Sequence, residues 1–217
     1  GAAALAGAYL RSGMGDEDRR EAETALISLI DDPSPLVRRA IAEEMATSPY
    51  APRNLVLGLI ADQSDVAALM LAHSPVLSEA DLVDAAAIGD GLAQRAIAQR
   101  MHLPASVAAA LAEVGVEEAL VALVRNPSAD IPDFSLERMV ERIADSGALR
   151  EALLARDDLP AALRQTIAAH VSDALTSFVM NCGWLSPERG ARLAREATER
   201  VAVSLAAGGE DSDAPAI

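Results

Sequence analysis

The sequence predicts an all-α chain, a right-handed α-solenoid of short helix pairs (26–30 residues each) closed by a longer C-terminal helical hairpin. Three observations carry that prediction. Aromatics make up only 2% of the 217 residues while Ala and Leu dominate, which favours close-packed helices over strands. Apolar residues recur at helical spacing, most clearly in Asp31–Ala46, where Val37, Ala40, Ile41 and Met45 share a face. Helix-closing motifs return every 26 residues as Ala46-Thr-Ser48-Pro49, Ala72-His-Ser74-Pro75, Ala98-Gln-Arg100 and Val124-Arg-Asn126-Pro127.

Residues 2–11 form a first short helix, stopped at Ser12-Gly13. No basic residue precedes its apolar run, so it reads as a packing helix rather than a signal peptide. Gly1 stands without a Met, which suggests a tag remnant or an excised fragment. Asp16–Ile30 follows, with acidic residues in its first turn that suit the helix dipole. Asp31-Asp32-Pro33 ends it, and Pro35 suits the first turn of the next helix, where its fixed φ and missing N–H cost nothing. The predicted pairs are 17–31 with 35–47, 52–61 with 64–73, 78–88 with 91–101, 104–114 with 116–125, and 135–145 with 147–155. Isolated helices of about ten residues are marginal in water, so each must be held by its neighbours. Gly89, Gly91 and Gly115 fall in turns inside pairs and are expected to supply positive φ there. Asn126–Asp133 is a looser link before Phe134 opens the fifth pair.

A second echo has double length. Arg39-Ala-Ile-Ala42 returns as Arg95-Ala-Ile-Ala98, and Arg100-Met-His-Leu-Pro104 returns as Arg156-Asp-Asp-Leu-Pro160, each 56 residues on. After it the pattern changes. Ala161–Met180 is nearly twice as long, with Leu163, Ile167, Val171, Ala174 and Phe178 in a narrow stripe. Asn181–Ser186 turns the chain, and Pro187 starts a last helix to about Ala207. The division is therefore 1–159 helical repeats, 160–207 a hairpin cap on the same solenoid, and 208–217 a disordered acidic tail.

The formal net charge is −15, and all 18 basic residues are Arg. A surface so acidic repels phosphate backbones, which excludes nucleic acid as the expected partner. The single cysteine, Cys182, allows no intrachain disulfide and fits a cytoplasmic setting. No run approaches the roughly 18 apolar residues of a membrane span. His73, His102 and His170 lack metal-ligand spacing and read as ordinary helix-end residues. No histidine neighbours Cys182 in sequence, so a packing role is preferred to a reactive thiol. Gly89-Asp-Gly91 follows no strand and is a turn, not a dinucleotide loop. No catalytic, cofactor-binding or metal residues are expected.

One surface remains. With Val37, Ala40 and Ile41 taken as buried, Arg39, Ala42 and Glu43 face away from the core, and the echo places Arg95, Ala98 and Gln99 at equivalent spots. Arg39, Glu43, Arg95 and Gln99 are the partner-binding candidates, flanking small Ala residues over which a peptide or helix could lie. The expected role is a non-enzymatic scaffold or adaptor for a protein partner, with the C-terminal hairpin as a homodimer surface.

The succession Asp32-Pro-Ser-Pro-x-Val37-Arg38, Ser74-Pro75-Val-Leu, Ala96-Ile-Ala-Gln-Arg100, Arg125-Asn126-x-x-Ala129-x-Ile131 and Arg156-Asp-Asp-Leu-Pro160 resembles a bacterial HEAT-like family. That family is a domain of unknown function found mainly in alphaproteobacteria, and the resemblance spans roughly residues 15–175. It implies an α-helical repeat domain without an established reaction, and no catalytic residues to carry over. Asp32 and Arg38 match the pair that commonly bridges HEAT turns. At the same distance Asp62 is followed by Ala68 and Asp90 by Ala96, so a continuous Asp–Arg ladder is not expected. The alternative function is that of a HEAT-like enzyme, such as a DNA glycosylase or a bilin-lyase-like helper. A glycosylase needs a basic, aromatic groove, and this chain has one Trp and two Tyr.

Overall fold

The computed structural model describes residues 1–11, 13–142 and 146–182, with scattered positions between 188 and 199. The described residues form α-helices and turns without a strand. In chain order they are α1 (Ala2–Leu10), α2 (Asp16–Ser28), α3 (Pro35–Met45), α4 (Arg53–Ile60), α5 (Ser64–His73) and α6 (Glu79–Ile88). Then come α7 (Gly91–Ala98), α8 (Ala105–Val114), α9 (Glu117–Val124), α10 (Asp133–Arg142), α11 (Gly147–Leu154) and α12 (Ala161–Asn181). The short helices and the longer α12 stand within a few residues of where the helical spacing placed them. The end of the helix expected to reach residue 145, most of the arm from Pro187, and the tail lie outside the described residues.

Local chemistry sets these boundaries. Pro35 occupies the first turn of α3. Ser78 and Asp81 form a reciprocal capping box on α6, satisfying two donors that a helix start leaves orphaned. Asp90 and Ser146 cap α7 and α11 through their side chains.

The glycines correct one expectation. Gly89 and Gly115 leave their helices with φ −74 and −63, ordinary negative angles. Positive φ occurs instead at Gly13 (123) and at His102 (54), whose N–H bonds the Ser128 hydroxyl at 3.0 Å. What Gly89 and Gly115 supply is close approach. A Cβ on Gly115 would lie 2.6 Å from the Leu111 carbonyl oxygen and 3.0 Å from Leu120, and one on Gly89 would run into the Ala85 carbonyl and Ala93. Gly91 meets only the end of the Val116 side chain, at 3.1 Å.

The chain divides into two compact units, residues 1–136 and 137–217. In the first, most helices pack chiefly on the one two places along: α1 on α3, α3 on α5, α5 on α7, α7 on α9, and α6 on α8, while α2 packs mainly on α1 and α4 on α5. Its core is a continuous set of fully buried side chains, among them Leu26, Ile41, Met45, Leu59, Met70, Ile97 and Leu120. In the second unit, Met139, Leu149, Leu153, Leu159, Leu163 and Ile167 are buried. The stripe on α12 then emerges, leaving Val171, Ala174 and Phe178 exposed.

Candidate interaction surface

Short helices leave many terminal carbonyls without an intrahelical partner, and the first unit satisfies them from the next helix pair. The Arg100 guanidinium donates to the Leu71 and Ser74 carbonyls at the end of α5, at 2.6 and 2.8 Å. Twenty-six residues on, the Asn126 amide donates to the Ala98 and Arg100 carbonyls beyond α7, at 2.9 and 2.7 Å. Positions 74, 100 and 126 are the ones that recur in the sequence, so that recurrence is a physical chain of contacts. Burial pushes the Arg100 guanidinium below its ordinary value. Arg164 plays the same part in the second unit, donating to the Leu154, Arg156 and Leu159 carbonyls.

The turns inside the pairs carry a second series of bonds. Arg38 donates to both carboxylate oxygens of Asp62, the Nη2–Oδ1 distance being 2.9 Å, and to the Asp32 carbonyl at 2.6 Å. The Asp32 carboxylate caps the Ser34 N–H instead. Next along, the Ser64 hydroxyl donates to Asp90, and the Val116 N–H donates to Gln94 Oε1 at 2.9 Å. The turns are therefore linked from pair to pair by changing side chains. An Asp–Arg ladder does not repeat, as the residues six apart indicated. These partners lie 22–26 residues apart, not six, so the six-residue spacing in the sequence does not reveal them.

Arg38 holds the Asp62 carboxyl below the usual carboxylate range against the opposing effect of burial. A group depressed in the folded state contributes stability above its unfolded value, near about 4, and that contribution disappears as pH falls through the folded value. Stability should thus fall on acidification below about pH 4. In Arg38→Met the protein should start less stable, and the acid loss should be shallower because Asp62 has lost its cation. Urea titrations at a series of pH values check this; an equally steep acid limb in the variant refutes it.

Arg39, Glu43, Arg95 and Gln99 are all exposed, on α3 and at the end of α7. Arg39 pairs with Glu43 at 2.9 Å and reaches Asp65 at 3.4 Å, so it belongs to an intramolecular network. Ala42 and Ala98, expected on the same open face, are fully buried, and Val37 and Ala40 are only half-buried. The buried stripe of α3 is Ile41, Ala42 and Met45, rotated from the predicted one because α3 packs on both α1 and α5. Ala68 and Ala72 are half-buried on α5, the helix that packs against both α3 and α7.

Other candidates are dispersed. His73 ends α5, His102 lies in the turn after α7, and His170 sits within α12. Among the described residues no three His, Cys, Asp or Glu side chains are grouped to hold a metal. Cys182 is a free, exposed thiol, and no described helix is long and apolar enough to cross a membrane.

Short α-helices, many of them laid on the one two places along, define an all-helical protein in the described residues. The chain belongs to the family described as uncharacterised protein conserved in bacteria (DUF2336), whose profile matches residues 66–217. No curated protein and no solved structure matches it.

Proposed function

We propose that the chain is a non-enzymatic protein-interaction module, built as a right-handed α-solenoid of HEAT-like helix pairs, that binds a peptide or helix across α3, α5 and α7. What supports this reading is that α5, which carries the half-buried Ala68 and Ala72, packs against both α3, which carries Arg39 and Glu43, and α7, with Arg95 and Gln99 exposed at its C-terminal end. Small residues let a partner backbone come close, and the flanking groups offer charge-assisted bonds. The single cysteine suits a cytoplasmic module.

Charge reversal at Arg39 and Arg95 together should abolish capture of specific partners from a lysate of the native host. The melting temperature should barely move, since ion pairs this exposed contribute little to stability. Undiminished recovery of the same partners by a folded double variant would assign binding to another face.

A further inference from the structure

α6 packs closely along α8, but α4 and α6 do not close on each other in the same way. Between them lies a cavity of about 290 Å³. Its apolar wall includes Leu57, Ile60, Leu71 and Ala85, and Asp81 and Asp84 also line it. The two carboxylates are not equivalent. Asp81 is already engaged, accepting from Ser78 and from Arg53 at 2.9 Å. Asp84 is exposed, has no hydrogen-bond or ion-pair partner among the described residues, and sits on a helix without a basic residue. Ile88, one turn on and also lining the cavity, is 88% exposed, an unusual position for a large apolar side chain.

We propose that this cleft is a binding site for a small hydrophobic cation, an ammonium or guanidinium carried on a compact hydrocarbon body. An apolar wall with a carboxylate at one position asks for an apolar body with a positive head. The unpaired Asp84 and the net charge of −15 both select against an anion. Size agrees as well: a cavity of about 150 Å³ holds benzene, so this one admits a single-ring or branched hydrocarbon together with its charged end. The site lies between α4 and α6 with Leu71 of α5 and Ala93 of α7 in its lining; neither Arg39 nor Arg95 lines it, so it stands whether or not those residues bind a partner.

The test titrates the full chain, with its methyl groups isotopically labelled, with phenethylammonium and follows the methyl resonances by NMR. Saturable shifts confined to Leu57, Ile60, Leu71, Ala85 and Ile88 are expected. Phenethyl alcohol, with the same body and no charge, should bind about two- to fivefold more weakly, the range of an exposed ion pair, and hydrocinnamate should not bind measurably. Asp84→Asn, at an exposed position, should erase the difference between amine and alcohol. Ala85→Leu fills the cleft and should abolish the shifts for both. Equal affinity for amine and alcohol in the wild type overturns the cation assignment. Shifts scattered over the acidic surface, or shifts that persist in folded Ala85→Leu protein, overturn the site itself.

Discussion

Asn126→Ala should destabilise the protein by about 3 kcal/mol, and Asn126→Asp should do more damage at neutral pH. The Asn126 side chain is 8% exposed and fully used. Its NH₂ donates to the Ala98 and Arg100 carbonyls, and its oxygen accepts from the Ser128 N–H at 3.0 Å and the Ser128 hydroxyl at 2.8 Å. Each buried acceptor left without a donor costs about 1–3 kcal/mol, and truncation strands two. Asp preserves the contact with Ser128 but sets a carboxylate oxygen against two carbonyls. Such a site raises the carboxyl's pKa, because only the protonated form can donate to one of them. Asn126→Asp should therefore be more stable near pH 4 than at pH 7, the reverse of the Arg38–Asp62 dependence. Denaturant melts of both variants at the two pH values check the assignment; an Asp variant that gains stability towards neutrality would contradict it.

Gly89→Ala and Gly115→Ala should each cost about 1–3 kcal/mol, the range for forcing extra volume into a packed site. The obstruction at both is a backbone carbonyl one helical turn earlier, which cannot swing aside as a side-chain end can. Gly147→Ala separates this cause from a general effect of glycine replacement. At Gly147 the nearest atom to an added Cβ is Arg150 Nη2 at 3.9 Å, and the residue opens α11. That substitution should be neutral or stabilising by about 0.4–1 kcal/mol, through reduced freedom of the unfolded chain. Thermal melts of the three variants give the comparison. Equal losses at all three would show that the close approach is not the reason for glycine at 89 and 115.

Helix positions were legible in the sequence because helix-breaking residues and apolar spacing agree in every segment. Pro35, Pro52, Ser78 and Pro104 each stand at or next to a helix start. The rotation of each helix was less legible. With Ala abundant, an Ala on α3 gives no sign of whether it faces α1 and α5 or the solvent, and so Ala42 and Ala98 were placed on the wrong side. The four charged and polar candidates are exposed, as their chemistry requires, whereas the alanines expected beside them, Ala42 and Ala98, are buried. The cleft between α4 and α6 leaves no mark in the sequence at all, since it arises from the spacing of two helices rather than from any residue type. The signal that could have exposed the polar links was available: Ser74, Arg100 and Asn126 are three different residues at one repeated position, and a changing polar residue at a fixed period implies a contact between neighbouring pairs.

The reach of those links bears on how the chain acquires its structure. Among the side-chain hydrogen bonds described in residues 1–136, the widest separation is 29 residues, between Arg100 and Leu71, and most of those between helices span 22–28. Closing a loop of that size has nearly the same entropic cost wherever it is formed, because the cost grows only with the logarithm of length. No single distant pairing has to be found first. Ordering can begin at any adjacent helix pair and spread in both directions, which places the first unit among rapidly folding topologies of low contact order.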